Sequence, residues 1–254
     1  MYTISGSEAQ SLESARGHSP EELRARLREC MRVEPAEPLR RVPGRETFAV
    51  GGLGGATWVI KRFTGRWVGE SPAEREHGVL EALRAEGLRV PAAVGYLDES
   101  DRCLVAMERV EARGDLRAAL SDVERSALEP LLTQLLELVL SLHTRGWHHR
   151  DLYLHHILVA DDGELTLIDL GRARRPRWVR RRWFAKDLAA LLLWTPQRVG
   201  GSQRLRFLSK YMDRMEITGR RTRRAFARDV SRRRERMAQH VPRYGEEGAW
   251  EVPS

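Results

Sequence analysis

The sequence predicts an α+β chain built as two lobes, a small antiparallel-sheet lobe followed by a mainly helical one, and three observations predict it. Two carboxylates, Asp151 and Asp169, flank two short apolar runs joined by Asp161-Asp162-Gly163, the composition of a β-hairpin. Upstream, Trp58-Val59-Ile60-Lys61-Arg62-Phe63 has the alternation of a strand and carries a single lysine. Leu128, Leu131, Leu132, Leu135, Leu136, Val139 and Leu142 recur at helical spacing within 124–143, an amphipathic stretch suited to the central helix of the second lobe.

Residues 1–38 read as an extension. About its first 18 residues are polar and rich in Ser, Glu and Gly, with little to fold on. Ser19-Pro20-Glu21-Glu22 then opens a short helix with a capping-box pattern, broken at 33–38. Residues 39–110 make the first lobe. Gly51-Gly52-Leu53-Gly54-Gly55 is a turn between its second and third strands. Only nine residues separate Gly52 from Lys61, too few for a phosphate loop, a strand, a turn and another strand at roughly five residues per strand. The nucleotide-covering loop therefore falls at Val42-Pro43-Gly44-Arg45-Glu46-Thr47, where backbone amides near Gly44, with Arg45 and Thr47, meet phosphate; Thr47-Phe48-Ala49-Val50 is strand two. Ser71-Pro72 starts a helix that carries Glu76, the expected partner of Lys61, with Glu74 as fallback. Cys103-Leu104-Val105-Ala106-Met107-Glu108-Arg109-Val110 passes from apolar to polar as a strand does when it enters a connector. Met107, Glu108 and Val110 are the candidates to bind adenine through the backbone; a strand and ligand-free loop fits the same residues. Residues 111–254 make the second lobe, ending in basic helices.

In phosphoryl transfer the protein mostly positions groups and offsets charge. One carboxylate must orient the acceptor hydroxyl and take its proton, and another must ligate the metal. Asp151, within His149-Arg150-Asp151, is assigned the first task and Asp169 the second. Lysine is scarce in a chain whose positive charge is almost all arginine, which makes a lone strand lysine a phosphate ligand and not a solvated face residue. The donor this points to is ATP with Mg2+.

With these residues in place the chain resembles the lipopolysaccharide core kinase family, bacterial enzymes of protein-kinase-like fold that phosphorylate Kdo or heptose of the inner core. The resemblance covers roughly residues 39–212. It is carried by Arg45-Glu46-Thr47, Val59-Ile60-Lys61, Ala73-Glu74-Arg75-Glu76, the run from His149-Arg150-Asp151 to Ile157-Leu158, Ile168-Asp169-Leu170-Gly171-Arg172-Ala173, Lys186-Asp187-Leu188, and Arg204-Leu205-Arg206-Phe207-Leu208-Ser209-Lys210-Tyr211. It implies a bilobal protein-kinase-like fold and an ATP-dependent kinase acting on a sugar hydroxyl of a lipopolysaccharide core or related lipid-linked glycan. It also implies that Asp187, in a helix opened by Lys186-Asp187-Leu188, holds the backbone of the catalytic loop.

Ordinary protein kinases carry Asn five residues past the catalytic aspartate and, in serine/threonine enzymes, Lys two past it. Here those positions hold His156 and Tyr153. His156 joins Asp169 in the metal set; because imidazole is a softer ligand than oxygen, it orients Asp151 or a phosphate, or favours Mn2+. Packing beneath the loop is its bland alternative. Residues 171–186 contain no Ser, Thr or Tyr, so switching by phosphorylation of that segment is not expected.

Charge and apolar content bound the rest. The net charge is +8, with seven arginines within 172–182 interleaved with Trp178 and Trp183, and nine more within 220–236. Arginine pairs bidentately with phosphate and indole settles at membrane interfaces, which suits an anionic glycolipid and peripheral contact with the cytoplasmic face of the inner membrane. The same charge also suits a nucleic-acid backbone, but that reading leaves the catalytic spacing unexplained, so no nucleic acid is expected. Cys30 and Cys103 are too few and too far apart for a disulfide framework or zinc site, and no apolar run approaches the roughly 20 residues of a spanning helix. A cytoplasmic chain is expected. A kinase for a small molecule or protein, and a non-catalytic pseudokinase scaffold, remain as alternatives.

Overall fold

A computed structural model describes residues 18–178 and 181–239. The polar stretch 1–17, Arg180 of the Arg/Trp segment and the chain after Gln239 lie outside the described residues. The chain divides into two compact units, with the boundary between Val110 and Glu111.

The first unit begins with helix α1 (Pro20–Arg32). Its start is a reciprocal cap: Glu22 N–H donates to Ser19 Oγ and Ser19 N–H to the Glu22 carboxylate at 2.7 Å. Leu23, Leu27, Cys30 and Met31 form its apolar stripe, none more than 5% exposed. Strands β1 (Arg40–Val42), β2 (Arg45–Gly51), β3 (Thr57–Thr64), β4 (Ala93–Asp98) and β5 (Arg102–Glu108) form one antiparallel sheet in the order β1-β2-β3-β5-β4. The period of two sorts its side chains. Phe48, Trp58, Ile60, Leu104 and Ala106 pack with the stripe of α1, while Lys61, opposite Thr47 and Val105, points to the other face, toward helix α2 (Pro72–Ala85). Residues 20–32, set apart as an extension in sequence, are thus part of this unit's core.

The loop expected over 42–47 contracts to the two-residue turn Pro43-Gly44, and strand two begins at Arg45 instead of Thr47. Gly44 has φ +74°, and its carbonyl accepts from Thr64 N–H at 3.0 Å. Pairing is carried this far because Glu46 bonds both Arg41 and Arg62, the residues facing it on β1 and β3. Gly51–Gly55 is the expected turn between β2 and β3, closed by Gly52 N–H donating to Ala56 C=O at 2.7 Å.

The second unit opens with β6 (Ala112–Asp115), which Asp115 converts into helix α3 (Leu116–Asp122) by accepting from Ala118 N–H. Helix α4 (Arg125–Thr144) follows, with Leu128, Leu132, Leu135, Leu136, Val139 and Leu142 buried as its periodicity requires. Strands β7 (Ile157–Ala160) and β8 (Leu165–Leu167) form the hairpin expected between the carboxylates, with Gly163 at φ +85° in its turn, and join β6 in a three-stranded sheet. Helices α5 (Arg181–Leu193), α6 (Gly201–Arg214) and α7 (Arg220–Ala238) complete the unit, α5 packing on α7 and α4 on α6. Helix α5 starts five residues before the Lys186 start read from sequence. The class is α+β, an antiparallel sheet unit followed by a mainly helical one. No described helix is long and apolar enough to cross a membrane.

Candidate active site

In the first unit, Lys61 Nζ lies 2.5 Å from Glu76 Oε1. The side chains are 6% and 2% exposed, so this is a buried ion pair between the middle of β3 and the first turns of α2. Glu74 is not the partner; its N–H is spent on the Ser71 cap at 3.0 Å. Thr47 is buried in β2 directly opposite Lys61, whereas Arg45 and Gly44 lie at the turn end of the strand. Met107 is buried in β5, paired with Val59 and Ala93. Glu108 and Arg109 use their N–H groups on Ala92 and Thr57 carbonyls, each at 2.9 Å, and Val110 is the last residue of the unit.

In the second unit, Asp187 organises the loop that carries Asp151. It is fully buried at the middle of α5, and its Oδ2 accepts from His149 N–H at 2.7 Å while its Oδ1 accepts from Arg150 N–H at 2.8 Å. His143 on α4 donates a ring N–H to the same carboxylate at 3.3 Å and is itself held through Nδ1 by the Tyr211 hydroxyl at 2.8 Å. Burial opposes the charge of Asp187, but the His143 hydrogen bond, the nearby His143 and His149 rings and the His149 N–H together hold its carboxyl below the usual range. Asp187 thus fixes the loop from below, and His149 ties it to the other arm by donating Nε2–H to Ile168 C=O at 3.0 Å. Arg150 contributes through its backbone: held by Asp187, it sits at φ +75°, in the left-handed region.

Asp151 and Asp169 are joined through His156. The His156 Nδ1–H donates to the Asp151 backbone carbonyl at 2.8 Å, which leaves Nε2 facing Asp169 Oδ2 at 3.5 Å. Burial pushes the imidazole down to about 3, the Asp169 charge opposing this only in part. The ring is neutral, its buried Nε2 has no hydrogen-bond partner among the described residues, and a lone pair therefore confronts a carboxylate oxygen. Two acceptors so placed call for a cation between them. Asp169 reaches the position from the end of β8 at φ +57°; with Arg150 it is one of three non-glycine residues of positive φ among those described, the strain gathering where the carboxylates meet. No three His, Cys, Asp or Glu side chains among the described residues are placed to hold a metal by themselves. Asp169 and His156 are the two side chains here that could hold a divalent ion between them.

Sequence reasoning missed one partner. Arg172, three residues past Asp169, places Nη1 3.0 and 2.8 Å from the two Asp151 oxygens. The signal available was its place in Asp169-Leu170-Gly171-Arg172, three residues past the second carboxylate.

A model of the lipopolysaccharide kinase (Kdo/WaaP) family matches residues 54–211. The lipopolysaccharide core heptose(I) kinase WaaP of Pseudomonas aeruginosa is 28% identical over 200 residues, 68% of this chain and 72% of that protein. Its Escherichia coli K12 counterpart is 34% identical over 90 residues, 32% of this chain and 34% of that protein. The serine/threonine-protein kinase cds1 of Schizosaccharomyces pombe is 35% identical over 104 residues, 40% of this chain; the match spans 22% of cds1. The structure of the Cydia pomonella granulovirus kinase PK-1 has a TM-score of 0.45 and 19% identity, covering 61% of this chain and 58% of that one.

Proposed function

The chain belongs to the lipopolysaccharide kinase (Kdo/WaaP) family, and from that premise we propose that it is an ATP-dependent kinase that phosphorylates a sugar hydroxyl, on Kdo or heptose, of a lipopolysaccharide inner core or related lipid-linked glycan. The observation that carries this reading is the His156 lone pair facing Asp169, with the Asp151 backbone fixed by the same ring.

In this mechanism Lys61 holds a nucleotide phosphate, and the Glu76 carboxylate keeps its side chain in place. Backbone groups around Met107, Glu108 and Val110, other than the Glu108 N–H already bonded to Ala92, hold adenine, and the Gly44 turn, with Arg45 and Thr47, flanks the phosphates. Asp169 and His156 hold Mg2+, with Mn2+ as an alternative, which supplies neutralisation of phosphate charge when bound. Asp151 orients the acceptor hydroxyl and takes its proton, once Arg172 has released the carboxylate. Asp187 and His149 keep that loop from shifting. The basic, Trp-bearing segment after Asp169 and the arginine-rich α7 meet the anionic glycolipid at the cytoplasmic face of the inner membrane.

The test is nucleotide binding followed by transfer. ATP binds the purified protein in a Mg2+-dependent manner, Asp169→Ala removes the metal dependence, and Asp151→Ala retains binding while losing transfer to lipopolysaccharide. Metal-independent binding that both variants share would remove the basis of the assignment.

A further inference from the structure

The second unit contains a cavity of about 510 Å³ to which the mechanism above assigns no particular group of the substrate, lined by Arg150, Arg174, Arg175 and Lys186 together with His148 and Trp183. Four cationic residues and one carboxylate, Asp187, are among those that line it, and the Asp187 oxygens are already taken by the N–H groups of His149 and Arg150. Among the described residues neither the Arg150 guanidinium nor the Lys186 ammonium makes a hydrogen bond. Lys186 is half-buried. Burial pushes its ammonium below the usual lysine value while Asp151 pulls it back up, so the charge stands under-solvated and close enough to the catalytic carboxylate to feel it. Arg174, which also donates to the Ala173 carbonyl at 2.7 Å, is fixed by the backbone bridge between His148 and Arg174. The Trp183 indole, packed on the His148 ring at 5.0 Å, gives the cavity a rigid aromatic wall.

Guanidinium and ammonium groups gathered around one space are the recognition set for a tetrahedral, doubly charged anion. In a phosphorylation-switched kinase a modified hydroxyl of the neighbouring segment supplies such a charge. Residues 171–186 have no hydroxyl to modify, so the anion comes from another molecule. We propose that this cavity is a phosphate subsite that takes a phosphate monoester already present on the acceptor sugar, next to the catalytic loop. The inference rests on the kinase reading and sharpens it: the preferred acceptor is a sugar that already bears phosphate.

Inorganic phosphate is the probe, titrated calorimetrically into the full chain saturated with Mg2+ and a non-hydrolysable ATP analogue so that the nucleotide site is filled. The wild type binds phosphate, and Arg175→Gln and Lys186→Gln each weaken it by about tenfold, the loss of one good charge-assisted contact. Arg175 is exposed, and an unchanged melting temperature for its variant shows that the fold is retained. In the second arm, the ratio of KM for the phosphatase-treated acceptor to KM for the phosphate-bearing acceptor falls about tenfold in Arg175→Gln, while KM for ATP stays within twofold. Phosphate binding with equal responses of the two acceptors would assign the cavity to the free ion and overturn the acceptor assignment. Absence of phosphate binding to the nucleotide-loaded wild type, or equal binding by both variants, would overturn the subsite while leaving the kinase reading intact. Failure of the nucleotide itself to bind would instead count against the kinase reading.

Discussion

Replacing Glu76 by Gln separates what the buried ion pair does for folding from what it does for function. The two side chains are 6% and 2% exposed and meet at 2.5 Å, so the ammonium has little water to fall back on when the carboxylate is neutralised. Breaking a buried pair by removing one partner costs about 3–5 kcal/mol, whereas replacing both partners by apolar groups is often neutral or stabilising. Glu76→Gln is therefore expected to lower the unfolding free energy of the first unit by about 4 kcal/mol. Lys61→Met combined with Glu76→Leu should return it to within ~1 kcal/mol of the wild type. Urea unfolding followed by tryptophan fluorescence gives both values, Trp58 lying in the same core. The activity assay runs the opposite way: the double variant, though stable, loses nucleotide phosphate binding with the lysine. A Glu76→Gln cost below ~1 kcal/mol would refute the burial argument, and a stable double variant with undiminished turnover would refute the assignment of Lys61 to phosphate.

The remaining expectations follow from other buried groups. Asp187→Asn keeps the shape but gives up charge-assisted bonds to His149 and Arg150 N–H, so it should cost about 2–4 kcal/mol and lower kcat more than ATP affinity; no effect on kcat would mean that the loop holds itself. Acidification should weaken the fold through His77 and His148, both brought down to about 4 by burial, and His156, brought to about 3. The sign is fixed by the unfolded chain taking up protons first: stability is full above pH ~6.5 and is lost as pH falls toward the folded values, on the order of 3 kcal/mol for each of the first two. A stability profile flat between pH 6.5 and 4 would contradict this. Leu27→Ala, at 2% exposure on α1, should cost about 2–5 kcal/mol, whereas an appended helix would lose almost nothing.

What was legible in sequence is what local chemistry dictates. The caps at Ser19 and Ser71, the hairpin around Gly163 and the stripe along α4 each depend on residues a few positions apart, and each has the form that spacing requires. The Lys61 and Glu76 positions were readable because strand period and helix start leave few choices for which side chain turns inward. The turn at Gly44 was drawn too long because the Glu46 bonds to Arg41 and Arg62, which extend the ladder, join three different strands. Arg172 on Asp151, the stripe of α1 beneath the first sheet and the lone pair of His156 were likewise invisible, since each depends on a contact that only the folded chain creates.

The most direct measurement is mass spectrometry of inner-core oligosaccharide after incubation of the purified protein with ATP, Mg2+ and lipopolysaccharide lacking one core phosphate. The account expects one added phosphate on a Kdo or heptose residue, dependent on Asp151, Asp169 and Lys61. An unmodified oligosaccharide, from protein that is folded and binds nucleotide, would contradict it.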